Sequence, residues 1–307
     1  MLRYGDSAKR SERATAAMAT ATSVEALGPG EHACLTFSDP DERLDIVAAF
    51  VRDGLSTATK VICVTESIPP EQLTAELSER GVPVADALPT NQLMIFSTDE
   101  TWLSGGELTA ATMMARISGY LDDAERQGYA GLRLSADMCW VNRPIAAADQ
   151  LPVFESEVGK FFGEGRLTAV CQYDREIFDA VTLAFATATH ARVVAAAVYY
   201  EDPVLRICRQ HVPPGVRIAG ELDFHHIDEL ALALNEALQL DRDVQVNLAK
   251  LRFLDAAAAS TIAHAALSLD SVRVMSILCA GPVLRMLRLA GVTDIPAVRV
   301  VSIHGEH

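Results

Sequence analysis

Short apolar runs alternating with segments of helical periodicity constrain this chain more than any other feature. His32–Phe37 (HACLTF), Lys60–Thr65 (KVICVT), Leu93–Ser97 (LMIFS), 131–136 and 167–173 (LTAVCQY) have the length and composition of buried strands. Between the first two, Leu44, Val47, Ala48 and Val51 recur at helical spacing, with Ser38 and Asp39 as caps and Pro40 early in the helix. Further helices are predicted near 70–80, 107–127, 149–163 and 176–188. Strands alternating with helices imply a parallel sheet covered on both faces. The run ARVVAAAVYY (191–200) is expected to close that sheet. Periodicity is lost over 203–214, around Pro203, Pro213 and Pro214, where a domain boundary is expected. A shorter β-α-β-α-β-α pattern follows, with strands at 216–219, 244–248 and 272–279 and helices at 226–239, 256–268 and 282–290. The fold class is therefore α/β, with a large parallel-sheet domain (25–203), a linker (204–214) and a compact second α/β domain (215–307).

Charge narrows the function. The 307 residues carry a formal net charge of −15. Phosphate backbones need a basic face, so nucleic acid is excluded as a partner, and so are anionic membrane surfaces. The acidity is uneven: residues 215–307 hold 8 Lys/Arg and 11 Asp/Glu, leaving most of the excess on the first domain. No apolar run reaches the ~20 residues needed to span a bilayer. Residues 1–24 are polar and Ala/Ser/Thr-rich without an apolar signal core, which reads as a disordered tail and a cytoplasmic protein. The six cysteines form no CxxC and sit mostly in apolar runs, as buried free thiols do in a reducing compartment.

Three segments carry a resemblance in the second domain: RIAGELDFHHIDELALAL (217–234), VQVNLAKLRFLDAAAASTIAHAA (244–266) and VRVMSILCAGPVLRMLRLAGV (272–292). Together they resemble a STAS domain of the anti-sigma-factor antagonist type. That resemblance implies binding to an anti-sigma factor or serine kinase, and a phosphorylatable serine just after the Phe-x-Asp motif. Here Asp255 is followed by Ala256, Ala257, Ala258 and Ala259, and Ser260 and Thr261 lie a turn further along. Phosphate at that loop would add charge at a helix N-terminus and break the docking surface. The alanines imply a domain that escapes this switch, or one turned to docking or dimerisation. Asp223, Asp255, Ala256, Ala257 and Ser260 are the candidate partner-binding residues. Helix capping is an equally good account of the two aspartates.

In the first domain, GEHACLTFSDPDERLDIVAAFVRDGL, VTES, STDETWLSGG, RLSADMCW and CQYDREIFDA resemble, in order, the MEDS sensory domain. The resemblance implies a RecA/KaiC-like parallel sheet and the sensing of a small molecule. Nucleotide-binding relatives of that fold place a glycine-rich loop and a lysine after the first strand. This chain has Ser38-Asp39-Pro40-Asp41-Glu42 there, and three carboxylates repel phosphate. Glu66 resembles the catalytic glutamate of KaiC-like ATPases, but no phosphate loop accompanies it. No catalytic residue is assigned.

Open parallel sheets bind ligands at the C-terminal ends of their strands. The candidate pocket residues gathered there are His32, Cys34, Glu66, Asp99, Trp102, Met138, Trp140, Cys171, Gln172 and Tyr173, set against ordinary loop polarity and helix caps. His32 and Cys34 share a strand face. With Cys171 and His190 they form a set that could hold a metal or haem, although no zinc-type Cys/His spacing is present and satisfied core residues are the preferred reading. The reading as a whole is a non-enzymatic bacterial signalling regulator in which a sensory domain controls a partner-binding domain. A scaffold or homodimerisation protein and a degenerate ATPase are its rivals.

Overall fold

The computed structural model describes residues 22–104, 108–143 and 150–303, without the side chains of residues 151 and 152. Most of the tail expected over 1–24, and the first residues of the helices expected near 107–127 and 149–163, lie outside these residues.

The first domain is built on β1 (His32–Phe37), β2 (Lys60–Thr65), β3 (Leu93–Ser97), β4 (Leu132–Asp137), β5 (Leu167–Asp174) and β6 (Arg192–Val194). All are parallel, in the order β3-β2-β4-β5-β1-β6. Helices α1 (Pro40–Ser56), α2 (Pro70–Glu79) and α3 (Val84–Ala87) pack on one face. Helices α4 (Ala110–Arg126), α5 (Leu151–Gly163) and α6 (Ala180–Thr189) pack on the other. This is the α/β fold expected from the alternation, with the inner strands β2, β4, β5 and most of β1 buried on both faces and the edge strands β3 and β6 only partly so. Side-chain caps set the starts of α4 and α6. Thr109 and Thr112 form a reciprocal capping box that opens α4 at residue 110. Asp179 accepts from the N–H groups of Val181 and Thr182 and delays α6 to residue 180.

The second domain adds β7 (Val198–Glu201), β8 (Leu205–Gln210), β9 (Gly215–Leu222), β10 (Val244–Leu248), β11 (Leu251–Leu254), β12 (Met275–Cys279) and β13 (Val298–Ser302). Its helices are α7 (Ile227–Leu240), α8 (Ala256–Leu267) and α9 (Gly281–Leu289). The main sheet order is β13-β12-β10-β9-β8-β7, mixed in sense, and β11 pairs with β9.

Three boundary expectations change. Residues 204–214 are not a linker, because β8 pairs along its length with β9, and Pro213 and Pro214 occupy the turn between them. The run 191–200 splits: β6 joins the first sheet and β7 joins the second. At the start of the described chain, Thr22 donates its N–H to Val193 O at 2.8 Å and Val24 is buried, so 22–24 belong to the first domain.

The two sheets meet along α1. Asp45 is buried and accepts the backbone N–H groups of His211 (2.8 Å) and Val212 (2.5 Å) in the turn after β8. Arg206 of β8 forks onto Glu42 at 2.8 and 3.2 Å. Arg217 of β9 lies 3.6 Å from both Asp39 and Asp41. Cys208 and Val212 pack in the same apolar cluster as α1. The carboxylates of the 38–42 segment, which repel phosphate, are therefore the acidic half of the seam between domains.

Glu25 closes the near end of that seam. It pairs with His211 Nδ1 at 2.8 Å, and this hydrogen bond, working against burial, lowers its pKa to about 2. A depressed carboxyl stabilises the fold at pH above its unfolded value, and that stabilisation is lost as pH falls from 4.5 through about 2. Because Glu25 is 47% exposed, solvent screening holds the effect under ~1 kcal/mol. Urea unfolding of wild type and Glu25→Gln is expected to differ at pH 6 and to converge near pH 2. A difference that persists there would assign the stabilisation to packing.

Candidate functional site

At the C-terminal ends of β2, β4 and β5, the first domain holds a closed polar network rather than an open cleft. Asp137 ends β4 with no solvent exposure. It accepts from Arg43 Nη2 (2.9 Å), Ser67 Oγ (2.6 Å) and the N–H groups of Ser67 (2.9 Å), Glu66 (3.2 Å) and Cys139 (3.1 Å). Arg43, one turn into α1, also donates Nε to Gln172 Oε1 at 2.6 Å and Nη1 to Ser67. Gln172 donates onward to Ser135 at 2.8 Å. Burial works to raise Asp137, but Arg43 and the Ser67 and Cys139 donors outweigh it and hold the carboxyl below its ordinary value. The crevice of this open sheet is thus filled by the protein's own guanidinium–carboxylate pair. Outside it, Arg143 holds Glu66 through two bonds (2.6 and 2.8 Å) and Asp99 at 2.7 Å, so Glu66 is engaged in an ion pair.

The opposite face of the sheet carries different chemistry. Strand alternation puts Gln172 toward α1, and Cys171 and Tyr173 toward α4–α6. A cavity of about 30 Å³ lies there, lined by His32, Trp102, Met138, Trp140, Cys171 and Glu155 among apolar neighbours. That volume holds about two water-sized occupants. It has no room for a porphyrin, so the haem alternative finds no seat.

At the cavity wall His32 stacks on Phe162 (ring centroids 4.3 Å) and lies 4.0 Å from the His190 ring. Its Nε2 is 3.4 Å from Cys171 Sγ, and its Nδ1 is 3.8 Å from Glu155. His190 caps α6 with its Nδ1 2.7 Å from Ala186 O, and its buried Nε2 has no hydrogen-bond partner. One donor atom from each of His32, Glu155, Cys171 and His190 lies within 4.8 Å of every other. Burial raises Glu155 to about 7 and pushes Cys171 well up. Burial, then the neighbouring His190, lowers His32 to about 2, and burial lowers His190 to about 4. Each group is held toward its uncharged form.

The ten pocket candidates therefore divide. Five line the cavity: His32, Trp102, Met138, Trp140 and Cys171. Cys34 and Tyr173 lie in the surrounding core; Tyr173 meets Phe178 and His190 edge-on. Gln172 faces away into the Arg43 network, and Glu66 and Asp99 are tied to Arg143. In the four-donor set Glu155 stands where Cys34 was expected. The missed signal was a carboxylate three residues before Val158 and seven before Phe162, on the apolar stripe of α5.

In the second domain Asp255 caps α8 through the Ala258 N–H (2.8 Å) and accepts the Phe224 N–H at 2.9 Å. Asp223 accepts the His225 N–H at 2.9 Å. Both aspartates thus do the capping work. Ala256 is exposed and Ala257 half-buried, whereas Ala258 and Ala259 are fully buried. Ser260 is exposed 3.5 Å from His264 Nδ1, and Thr261 donates back to Ala257 O at 3.1 Å. Phe224 and Phe253 are exposed on the segments that flank this helix start.

The chain thus joins a parallel-sheet α/β domain with an internal polar site to a small mixed-sheet α/β domain with an exposed helix start. The family model for MEDS, the methanogen/methylotroph DcmR sensory domain, matches residues 31–191, and the chain belongs to that family. A STAS model described as "Mlab, STAS domain" matches residues 206–301. The pairing is that of a signalling regulator. No curated protein matches the chain. Among solved structures, the flagellar accessory protein FlaH from Methanocaldococcus jannaschii aligns with TM-score 0.40 and 5% identity, over 60% of this chain and 79% of its own. Among the described residues no helix is long and apolar enough to cross a membrane.

Proposed function

We propose that this protein is an anti-sigma-antagonist-like regulator. Its MEDS domain receives a small-molecule signal, and its STAS domain binds an anti-sigma factor or serine kinase without being switched by phosphorylation at the start of α8. The supporting observation is the surface at that helix start. Ala256 and Ala257 stand where a phosphoacceptor is expected, and Phe224 and Phe253 offer apolar anchors beside them. The Thr261 hydroxyl is tied to the backbone of its own helix. Helix α1 supplies the physical link between domains, because it carries both Arg43 of the first-domain network and the carboxylates that hold β8 and β9. A signal ligand that leaves partner affinity unchanged would remove the coupling from this reading.

The test uses the full chain against the serine-kinase anti-sigma factors of its source organism, with and without ATP, followed by intact mass. Binding with no added phosphate is the expected result. Ala256→Glu, at an exposed position, is expected to weaken binding at least tenfold by placing charge in an apolar contact. Phosphate found on Ser260 or Thr261, or full affinity in Ala256→Glu, would overturn the reading.

A further inference from the structure

We propose that His32, Glu155, Cys171 and His190 form a tetrahedral site for a thiophilic divalent transition-metal ion of the Zn²⁺ class, buried between β1, β5, α5 and the end of α6. The site stands independently of the partner-binding reading. Two imidazoles, a thiol and a carboxylate are the donor types that zinc-class ions take. Their donor atoms already lie within 4.8 Å of one another. A tetrahedral site with bonds of about 2.0–2.3 Å has donor–donor edges of roughly 3.3–3.8 Å. Contraction by about an ångström, within reach of side-chain torsions, closes the shell.

His190 is the most telling member. It is 5% exposed, its Nδ1 is satisfied by Ala186 O, and its Nε2 is buried with no partner. A metal-binding histidine has this arrangement: one ring nitrogen fixed by a backbone carbonyl, the other free to ligate. Leaving such a nitrogen buried and unpaired is costly, and a cation removes the cost. Among the described residues no lysine or arginine pairs with Glu155 or Cys171, so the cluster has no internal cation to balance an ionised carboxylate and thiolate. Metal binding releases those protons and supplies the missing charge. Four protein donors make a closed shell, which points to a structural or sensing ion rather than a catalytic one. The bound ion would tie β1 to β5 and both to α5 and α6, next to the apolar cavity.

The test is a Co²⁺ titration of the full chain after chelator treatment and under reduction. The expected result is one Co²⁺ per chain, with tetrahedral d–d absorption and a thiolate-to-cobalt charge-transfer band, both abolished by one equivalent of Zn²⁺. Cys171→Ser is expected to remove the charge-transfer band, and Cys34→Ser to retain it. Glu155→Gln and His190→Gln are expected to weaken binding at least tenfold, with circular dichroism reporting whether each variant is folded. Should Cys171→Ser not fold, Glu155→Gln carries the test, because α5 lies at the surface of the domain. Three results would overturn the proposal: no cobalt spectrum, a band lost in Cys34→Ser but kept in Cys171→Ser, or unchanged binding in folded Glu155→Gln and His190→Gln. The last would place the ion elsewhere.

Discussion

Replacing Arg43 with methionine is expected to destabilise the first domain by about 3–5 kcal/mol, the usual cost of breaking a buried ion pair from one side. Methionine retains the apolar stem but ends two heavy atoms short of the guanidinium tips, so the charge and the volume between Asp137, Ser67 and Gln172 are lost together. Asp137 would be left with no solvent exposure and no counter-ion, and Gln172 and Ser67 would each lose a partner. For a domain of this size the shift in Tm is on the order of 10 °C. Differential scanning calorimetry of the full chain measures it. Arg43→Lys is expected to recover only part of the loss, because one ammonium cannot reproduce a planar fork directed at three side chains. A shift under about 2 °C for Arg43→Met would show that water enters the crevice and that the network is open in solution.

Gly220→Ala is expected to cost the second domain roughly 4 kcal/mol, combining left-handed backbone strain with overpacking. Gly220 has φ +104°, and a Cβ placed there would stand 1.9 Å from Val204 O. That oxygen belongs to the backbone just before β8, and it accepts the neighbouring Glu221 N–H at 3.1 Å, so it cannot move without parting β8 from β9. The damage should extend to Asp223, which follows β9, and to Asp255, which follows the β11 strand paired with β9 at Gly220. Gly281→Ala is the control, since its added Cβ meets nothing within 4 Å, and it is expected to change stability by less than about 0.5 kcal/mol. Equal Tm values for the two variants would remove the account of Gly220 as an enforced close approach.

Much of this architecture is legible locally. β1, β2 and β3 occupy the residues their apolar runs predict, because a buried parallel strand must be apolar on both faces and is bounded by polar turns. Short edge elements were not legible. The pattern does not mark β11 or β13, and the interior strand β8 reads as a linker, because prolines in the turn after β8 break periodicity whether or not the preceding residues pair. Side-chain partners were less legible still. Glu155 lies on a helix whose apolar stripe is visible, but its meeting with His32 and Cys171 depends on how α5 docks against β1 and β5.

The Ser38–Glu42 segment shows the division most clearly. Its composition determines that phosphate is not welcome after β1, since like charges repel wherever the chain folds. Only the tertiary structure decides what the carboxylates do instead: Arg217 and Arg206, more than 160 residues away in sequence, arrive on β9 and β8 to meet Asp39, Asp41 and Glu42. Periodicity and capping act over a few residues and are written in the local sequence. Ion pairs and metal-type donor clusters require strand order and register, which exist only once the sheets have formed.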